Sequence, residues 1–435
     1  MMETVLFVLF FASYIAMIAI LMKGFNPTVV LLGVGILWAI LGGLGPLEIL
    51  NDIIGSRITA NASALMTILF GSWFAQVLVQ TGVVKTIIRA AVELGGDKPK
   101  FVVALIMIVV SLMFTSLFSI GPVIAVGVIV LPVMISLGVK PRIAVAAYGL
   151  SVGVATLVNP SQYAVVRGIV TAFADNVPEA FGPPWSDYAF IAFGAGVVIN
   201  VIGIMIIMSL SGVKKRVKTW AVAVEEEDDD EVKFVPWYVC ISILIPVVLV
   251  IAFQVNIFPA FIIAGIYAIL TTKTRYKRIR VYPMIAKTFQ DGLYESSGMV
   301  MYMICTYILV DGATSIREII EASIGAYLPT TTLGLCILIC ILLPLFMYRG
   351  PIAIGGAGAA LYATIAAIGM VPIEFLWMFC MVASGIHYGL DPTNSSNTWT
   401  CSYAKVKPLE FIKTVLPVSW VYGVVIIAIL YVMYG

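Results

Sequence analysis

The residues best suited to binding chemistry stand in the middle of long apolar stretches of this sequence. Arg349 interrupts the apolar stretch 331–369, and His387 and Asp391 interrupt the stretch 373–404. A charge in such a position is costly and is a functional candidate by default. The planar guanidinium of Arg349 suits a carboxylate, whereas an internal ion pair with Asp391 is the alternative role, and the two roles can coexist.

Two short interruptions combine hydroxyls, glycine and proline, which we interpret as the tips of re-entrant hairpins. Hydroxyls can donate to a carboxylate or accept a sodium ion, and glycine lets the backbone approach a ligand closely. The second tip, in the stretch 331–369, contains Arg349 and Gly350. The first tip, in the stretch 101–138, contains Ser116, Ser119, Gly121 and Pro122.

Two further interruptions read as loops that break helices. The first contains Asn159 and Ser161, and the second runs from His387 to Thr398 and is the most polar stretch expected at membrane depth. Its amides, hydroxyls and carboxylate could coordinate Na⁺, whereas Asp391 or His387 could carry a coupling proton. The alternatives are that His387 packs between helices and that residues 394–398 cap the continuing helix.

These considerations give two sets of candidate residues. Unwound backbone at membrane depth must be buried in protein or line a wet cavity, and the helix N-termini at a break attract anions. The predicted substrate-binding residues are Ser119, Gly121, Pro122, Asn159, Ser161, Arg349, Gly350, Thr393 and Asn394. The predicted coupling-ion residues are Ser116, Asn159, His387, Asp391, Asn394 and Ser396.

The composition requires a lipid environment. The chain has 435 residues, of which 61% are hydrophobic and only 11% charged, against roughly 25% charged in a soluble domain. The net charge of +2 gives no sign of a nucleic-acid partner. One histidine and six cysteines without ligand spacing make a metal site improbable, and no nucleophile or nucleotide loop indicates an enzyme. We expect no cofactor beyond a coupling Na⁺ or H⁺.

The hydropathy pattern predicts an all-α polytopic membrane protein with about ten crossings and two re-entrant hairpins. The hairpins are 101–138 and 331–369, and the broken helices are 143–170 and 373–404. With the N-terminus outside and residues 4–22 kept as the first helix, nearly all Lys and Arg residues fall on the cytoplasmic side of the inner membrane. The acidic stretch within 213–237 then forms a cytoplasmic linker.

The two halves of the chain match weakly but in order, which indicates an internal repeat of opposite topology. Residues 79–82 align with 309–312, Gly121-Pro122 with Gly350-Pro351, and Asn159-Pro160 with Asp391-Pro392, at separations of 229 to 232 residues. The predicted divisions are an N-terminal helix 1–27, repeat 1 over 28–212, the linker 213–237 and repeat 2 over 238–435. Inverted repeats of this kind are typical of secondary transporters.

At the tips and break loops the chain resembles the ion transporter superfamily. This group includes divalent-anion/sodium symporters, citrate and gluconate permeases, C4-dicarboxylate carriers and the large membrane subunits of binding-protein-dependent carboxylate transporters. The resemblance implies a homodimer with scaffold helices in 28–82 and 256–311. It also implies a mobile transport domain that carries the hairpins and broken helices in an elevator motion.

Three functions stay open at this point. The leading hypothesis is cation-coupled symport of a small organic anion, such as a di- or tricarboxylate or a sugar acid. The first alternative is a cation/proton antiporter that uses Asp391 as its exchanging carboxylate. The second alternative is the membrane subunit of a transporter that depends on a separate binding protein.

Overall fold

The computed structural model describes most of the chain as helices. The residues outside the description are Met1, Gly24, Asp97, 172–181, Pro183, 213–233, 276–279, 325–326, 350–351, 355–357 and Met370. The described part is 85% helix and contains no strand, so the predicted all-α class is confirmed. The acidic run of the predicted linker falls within 213–233 and so lies outside the described residues.

The helices of the first half end at Ser211. They are α1 (Met2–Met22), α2 (Pro27–Leu41), α3 (Pro46–Glu48), a π-helix (Ile49–Ser56), α4 (Arg57–Ala60), α5 (Ala62–Gln80), α6 (Val83–Gly95), α7 (Pro99–Phe114), α8 (Ile120–Ser136), α9 (Pro141–Ala155), α10 (Pro160–Val170) and α11 (Trp185–Ser211).

The helices of the second half begin at Trp237. They are α12 (Trp237–Cys240), a 3-10 helix (Ile241–Ile243), α13 (Ile245–Phe253), α14 (Ile257–Arg275), α15 (Val281–Ser315), α16 (Arg317–Ile324), α17 (Thr332–Leu342), a 3-10 helix (Leu343–Arg349), α18 (Gly358–Ile368), α19 (Ile373–Leu390), α20 (Ser395–Tyr403) and α21 (Pro408–Tyr434).

Asparagine followed by proline determines where two of these helices begin. Pro27 and Pro160 open α2 and α10, where the missing proline N–H would have no helical partner in any case. Asn26 and Asn159 stand just before them, and their side-chain oxygens accept hydrogen bonds from backbone N–H groups of the first turn. The sequence thus specifies these helix starts locally.

Several helices are long and apolar enough to cross a membrane. Within the described residues, α5, α11, α15, α21 and the stretch Ile373–Tyr403 each qualify, and α9 with α10 forms a further span that is bent by 67°. Six shorter apolar helices accompany them, including α7 and α8. A polytopic membrane protein is therefore the architecture of this chain, while the exact number of crossings stays a prediction.

The helices pack into two neighbouring groups. In one, α15 lies along α2 and α5, and α5 also contacts α14. In the other, α9 contacts α7, α11, α19 and α21. The helix α10 connects the two groups because it packs on α5 in one and on α19 in the other.

The four interrupted stretches contain breaks of different shape. Residues 115–119 separate α7 from α8, and residues 156–159 stand at the 67° bend between α9 and α10. Residues 391–394 separate α19 from α20, yet the two helices count as one span of 31 residues. The stretch 331–369 is occupied by α17, a 3-10 helix and α18.

The helix α15 is longer than the hydropathy pattern predicts. The predicted span 293–311 covers its apolar part, but the helix begins at Val281 and has 35 residues. Its first turns carry Lys287 and Asp291, which lower the local hydropathy without breaking the helix. Hydropathy therefore locates the apolar part of a helix and leaves its polar extension undetected.

Candidate functional site

Asn159 connects the first break loop to the first hairpin tip. Its Oδ1 accepts hydrogen bonds from the backbone N–H groups of Ser161 and Gln162, at 2.8 and 3.1 Å. Its Nδ2 donates to the carbonyl oxygens of Phe114 and Leu117, at 2.8 and 2.9 Å. The side chain is 1% exposed, so its polar atoms are already engaged within the protein. Asn159 thus holds two interrupted stretches together.

His387 makes the corresponding connection in the second half. Its Nδ1 lies 3.0 Å from the carbonyl oxygen of Phe346, in the 3-10 helix of the stretch 331–369. Because a carbonyl can only accept, this ring nitrogen carries a proton. The same nitrogen lies 3.5 Å from Oδ2 of Asp391. The second break loop is therefore tied to the second predicted hairpin through an imidazole.

Asp391 is fully buried and organises the turn that follows it. Its Oδ1 accepts from the backbone N–H and the hydroxyl of Thr393, both at 2.8 Å. Asn394 then caps α20, because its Oδ1 accepts from the N–H of Ser396 at 2.9 Å. Asn397 donates to the carbonyl oxygens of Tyr388 and Asp391. The polar loop is held by its own side chains, and capping of the continuing helix is observed.

The first hairpin tip has an unusual backbone at Ser119. Its φ of +97° lies in the left-handed region that favours glycine, and its Oγ is buried without a hydrogen-bond partner in the described part of the chain. A non-glycine residue held in this region marks a strained position of the kind that clusters at functional sites. Ser116 points elsewhere, because its hydroxyl donates to the carbonyl oxygen of Ile243 at 2.6 Å.

A cavity of about 890 Å³ brings the predicted site residues together. Its wall is formed by the first tip, by α10, by α15 and by the loop between α19 and α20. Among the described residues, the predicted site residues that line the cavity are Ser119, His387, Thr393, Asn394 and Ser396. Those that do not line it are Ser116, Gly121, Pro122, Asn159, Ser161 and Asp391.

Two predicted site residues lie partly or wholly outside the described part of the chain. Arg349 ends the 3-10 helix Leu343–Arg349, but its side chain lies outside the description, and Gly350 lies outside the described residues altogether. Their roles stay predictions. Among the described residues that line the large cavity there is no lysine or arginine, and Glu295 is the acidic residue.

The cavity wall also contains polar residues that the predicted sets omit. Gln162 donates through Nε2 to the hydroxyl of Ser384 at 2.7 Å, which joins α10 to α19 across 222 residues of sequence. Such a pairing leaves no local sequence signal. Glu295 did carry a signal, because a carboxylate within the predicted span 293–311 is itself an intramembrane charge.

A second cavity, of about 250 Å³, lies on the other face of α10. Tyr163 and Arg167 line this small cavity, together with Asn61 at the start of α5 and Asn256 just before α14. Gln162, Val166 and Ile169 of the same helix line the large cavity instead. The second half of the broken helix therefore separates two cavities. In the described part of the chain no cluster of acidic, histidine or cysteine side chains could hold a metal ion.

Long apolar helices whose breaks and polar side chains are buried inside the protein are typical of a polytopic membrane protein. The chain matches the family model of the "Tripartite ATP-independent periplasmic transporter, DctM component" over residues 4–434. The protein therefore belongs to the DctM family, a family of ATP-independent membrane transport proteins rather than enzymes. This membership indicates a multi-pass protein of the inner membrane.

The fold of this chain is also similar to that of solved structures. The crystal structure of the Alcanivorax borkumensis YdaH transporter, a protein of unusual topology, matches with a TM-score of 0.63. The identity is 12%, and the match covers 94% of this chain and 98% of that chain. At this identity the likeness concerns the fold alone. The comparison with curated proteins gave no match.

The family membership corrects one prediction and decides between others. The predicted homodimer is wrong, because the DctM component is one part of a tripartite transporter and works with the other components. Of the functions that the sequence left open, the membrane subunit of a larger transporter fits better than a freestanding symporter. The match confirms that the chain belongs to a family of transporters, but it does not assign the chain to the ion transporter superfamily that the sequence resembles.

Proposed function

We propose that this chain is the membrane component of a binding-protein-dependent transporter that moves a small organic anion with a coupling cation. The observation that carries the proposal is the 890 Å³ cavity, where the first tip and the second break loop meet. Broken helices that meet in a cavity supply N–H donors to an anion and oxygen ligands to a cation. A cavity of this size fits a small ligand.

The anion would be held by the groups that can donate into the cavity. The hydroxyls of Ser119 and Ser396 line it, and α20 begins beside the polar loop. Thr393 also lines the cavity, and its hydroxyl would have to leave Asp391 to donate to the anion. Arg349 would supply the guanidinium, since it ends the 3-10 helix whose Phe346 carbonyl binds His387. A di- or tricarboxylate or a sugar acid is the class of substrate that these donors suit.

The coupling ion would be held near the break loops. Asp391, Asn394 and His387 supply the carboxylate, the amide oxygen and the titratable ring of the second loop. Na⁺ would use the oxygen atoms of this loop, while H⁺ would use Asp391 or His387. Measuring binding with and without Na⁺ separates these two possibilities.

Contacts between the broken helices support the proposed inverted repeat. A Cβ added at Gly153 would lie 2.6 Å from Cα of Gly389, and a Cβ added at Gly385 would lie 2.8 Å from the side chain of Leu157. Positions 232 residues apart correspond in the two halves, so Gly153 corresponds to Gly385 and Leu157 corresponds to Gly389. The contact of Gly153 with Gly389 is therefore the counterpart of the contact of Gly385 with Leu157. The same separation relates Phe114 to Phe346, whose carbonyl oxygens accept the bonds from Asn159 and His387.

The cavity would open to the cytoplasm in the state described here. Its rim includes Leu21, Phe25 and Pro408, which neighbour lysines that the charge distribution predicts to be cytoplasmic. The small cavity on the other face of α10 is lined by Asn61 and Asn256, in loops predicted to face outside. In this proposal α2, α5, α14 and α15 form a scaffold, and the second group of helices moves across the membrane.

A binding screen on the purified full chain tests the proposed substrate class. We expect one or more di- and tricarboxylates or sugar acids to raise the unfolding temperature in detergent, and Na⁺ to strengthen the shift if Na⁺ is the coupling ion. Matched amines and neutral sugars should give no shift. A response confined to cations, with no organic acid bound, would favour the antiporter and contradict the proposal.

A further inference from the structure

We propose that Glu295 is an internal anion that occupies the first hairpin tip when the cavity is empty, and that the substrate's carboxylate replaces it. This inference rests on the proposed function, because it concerns how the same site is kept closed before the substrate arrives. Glu295 belongs to the helix α15, whereas the tip belongs to α8, so the contact joins α15 to the first predicted hairpin.

The geometry places the carboxylate directly against the backbone of the tip. Gly121 is the second residue of α8, and a Cβ added there would overlap with Oε2 of Glu295 and come within 2.8 Å of Oε1. Only a residue without a side chain leaves room for the carboxylate in this position. Glycine is therefore needed at position 121 so that the carboxylate of Glu295 can contact the tip.

The tip offers a positive potential that nothing in its own sequence neutralises. The helix α8 has 17 residues, and Ser119 at its N-cap makes no side-chain capping bond. Its first backbone N–H groups therefore point out of the helix end without helical partners, and the helix dipole adds to their positive potential. A carboxylate is the group that such an end attracts.

The carboxylate is held there incompletely, which makes it replaceable. Gln76 of α5 lies within hydrogen-bonding reach of Glu295, but Oε2 is buried and has no partner among the described residues. The Oγ of Ser119 is likewise buried without a partner, and both residues line the large cavity. A substrate carboxylate that bonds to these donors would gain hydrogen bonds that Glu295 does not make.

The negative charges of Glu295 and of the substrate prevent both carboxylates from occupying the tip at the same time. Glu295 is the acidic side chain among the described cavity-lining residues, and two carboxylates at one tip repel strongly where water is scarce. The arrival of the substrate would therefore displace Glu295 and detach α15 from the tip. Such a contact would keep the tip covered while the cavity is empty and uncover it when the anion is bound.

Asp291 provides a matched control one turn earlier on the same helix. Its Oδ2 accepts from Nε2 of Gln80 at 3.0 Å, so it has the same kind of partner on α5 as Glu295. It does not line the large cavity. Asp291→Asn therefore removes a charge from α15 without touching the tip, whereas Glu295→Gln removes the charge at the tip and keeps the shape of the side chain.

The test measures how open the tip is, without any substrate. In the purified full chain a cysteine at Ile120, which lines the cavity, is reacted with a small polar thiol reagent. We expect Glu295→Gln to raise the reaction rate about two- to fivefold, which is the factor that corresponds to the interaction of a carboxylate with a helix N-terminus. Asp291→Asn should leave the rate unchanged. Gly121→Ala should also raise the rate because it forces the carboxylate away, and the double variant Gly121→Ala/Glu295→Gln should show no further increase.

An unchanged rate in Glu295→Gln and in Gly121→Ala would overturn the proposal, as would an equal increase in Asp291→Asn. If Glu295→Gln fails to give folded protein, Gly121→Ala carries the test. Loss of Na⁺ binding in Glu295→Gln with an unchanged rate would assign the carboxylate to cation binding and also overturn it. Succinate, citrate and gluconate, each added alone, test the proposed function separately, because the rate comparison needs no bound acid.

Discussion

The side chain of Asn159 donates to the carbonyl oxygen of Phe114 at 2.8 Å and thereby joins the first break loop to the end of α7. In the second half, His387 makes the equivalent bond to Phe346. Each broken helix is thus tied to one predicted hairpin by a buried polar side chain, and in the first half Tyr148 adds a second bond, to the carbonyl oxygen of Val123. If the hairpins and broken helices move together, these hydrogen bonds help to hold them as one rigid unit.

Asn159→Ala should destabilise the protein more than a simple cap deletion. It removes the cap of α10 and leaves the carbonyl oxygens of Phe114 and Leu117 without this donor, which together cost about 2–4 kcal/mol. Asn26→Ala is the matched control, because Asn26 caps α2 with one exposed bond and should cost about 1 kcal/mol. Denaturation in detergent measures both. Equal losses in the two variants would contradict the structural role of Asn159.

His387→Leu should reduce transport while the protein still folds. The substitution leaves the buried carbonyl oxygen of Phe346 without its imidazole donor, a loss of about 1–3 kcal/mol. We expect a lower unfolding temperature and weaker organic-acid binding than in the wild type. His387→Gln keeps a donor at this position and should recover part of both. Wild-type binding by His387→Leu would show that the second loop needs no anchor at Phe346.

Arg349→Ala should abolish uptake of the organic anion while the chain remains monodisperse in detergent. The guanidinium is expected to grip a carboxylate through two parallel bonds, which a lysine cannot reproduce. Arg349→Lys should therefore recover only a small part of the uptake. Full uptake by Arg349→Ala would remove this residue from the site and leave the anion to the helix N-termini and hydroxyls alone.

Thiol labelling from each side of the membrane should report which cavity opens where. Thr28 lines the large cavity and Asn256 lines the small one. With the proposed orientation, a cysteine at Thr28 reacts with an impermeant reagent from the cytoplasmic side, and a cysteine at Asn256 reacts from the outer side. The opposite pattern would invert the predicted topology, including the outside position of the N-terminus.

The sequence predicts those parts of the fold and site that depend on local chemistry. Asn159 with Pro160 and Asp391 with Pro392 specify helix breaks because a proline lacks the N–H of a continuing helix. Asn159 caps α10 directly, whereas α20 is capped by Asn394, three residues after Asp391. The same reasoning identified Ser119, Thr393 and Asn394, which line the cavity. What local chemistry leaves undecided is which break loop contacts which tip.

The sequence does not reveal which residues form contacts across long separations in the chain. The hydrogen bond between Gln162 and Ser384 joins residues 222 positions apart, and no sequence spacing predicts it. Ser116 and Asn159 are predicted to bind ligands, and the structure adds backbone partners that the sequence does not reveal: the Ser116 hydroxyl and Nδ2 of Asn159 donate to carbonyl oxygens within the fold. Their ligand roles stay predictions. The homodimer came from the resemblance alone, and the match to a component of a tripartite transporter replaces it.

Uptake by the complete transporter is the decisive test of the proposed transport function. Proteoliposomes that contain this chain with the other components of its transporter would be given a radiolabelled organic acid from the binding screen under an inward Na⁺ or H⁺ gradient. We predict uptake that requires the gradient and the binding protein, needs no ATP and is lost in Arg349→Ala. Uptake that continues without this chain, or without any cation gradient, would contradict the account.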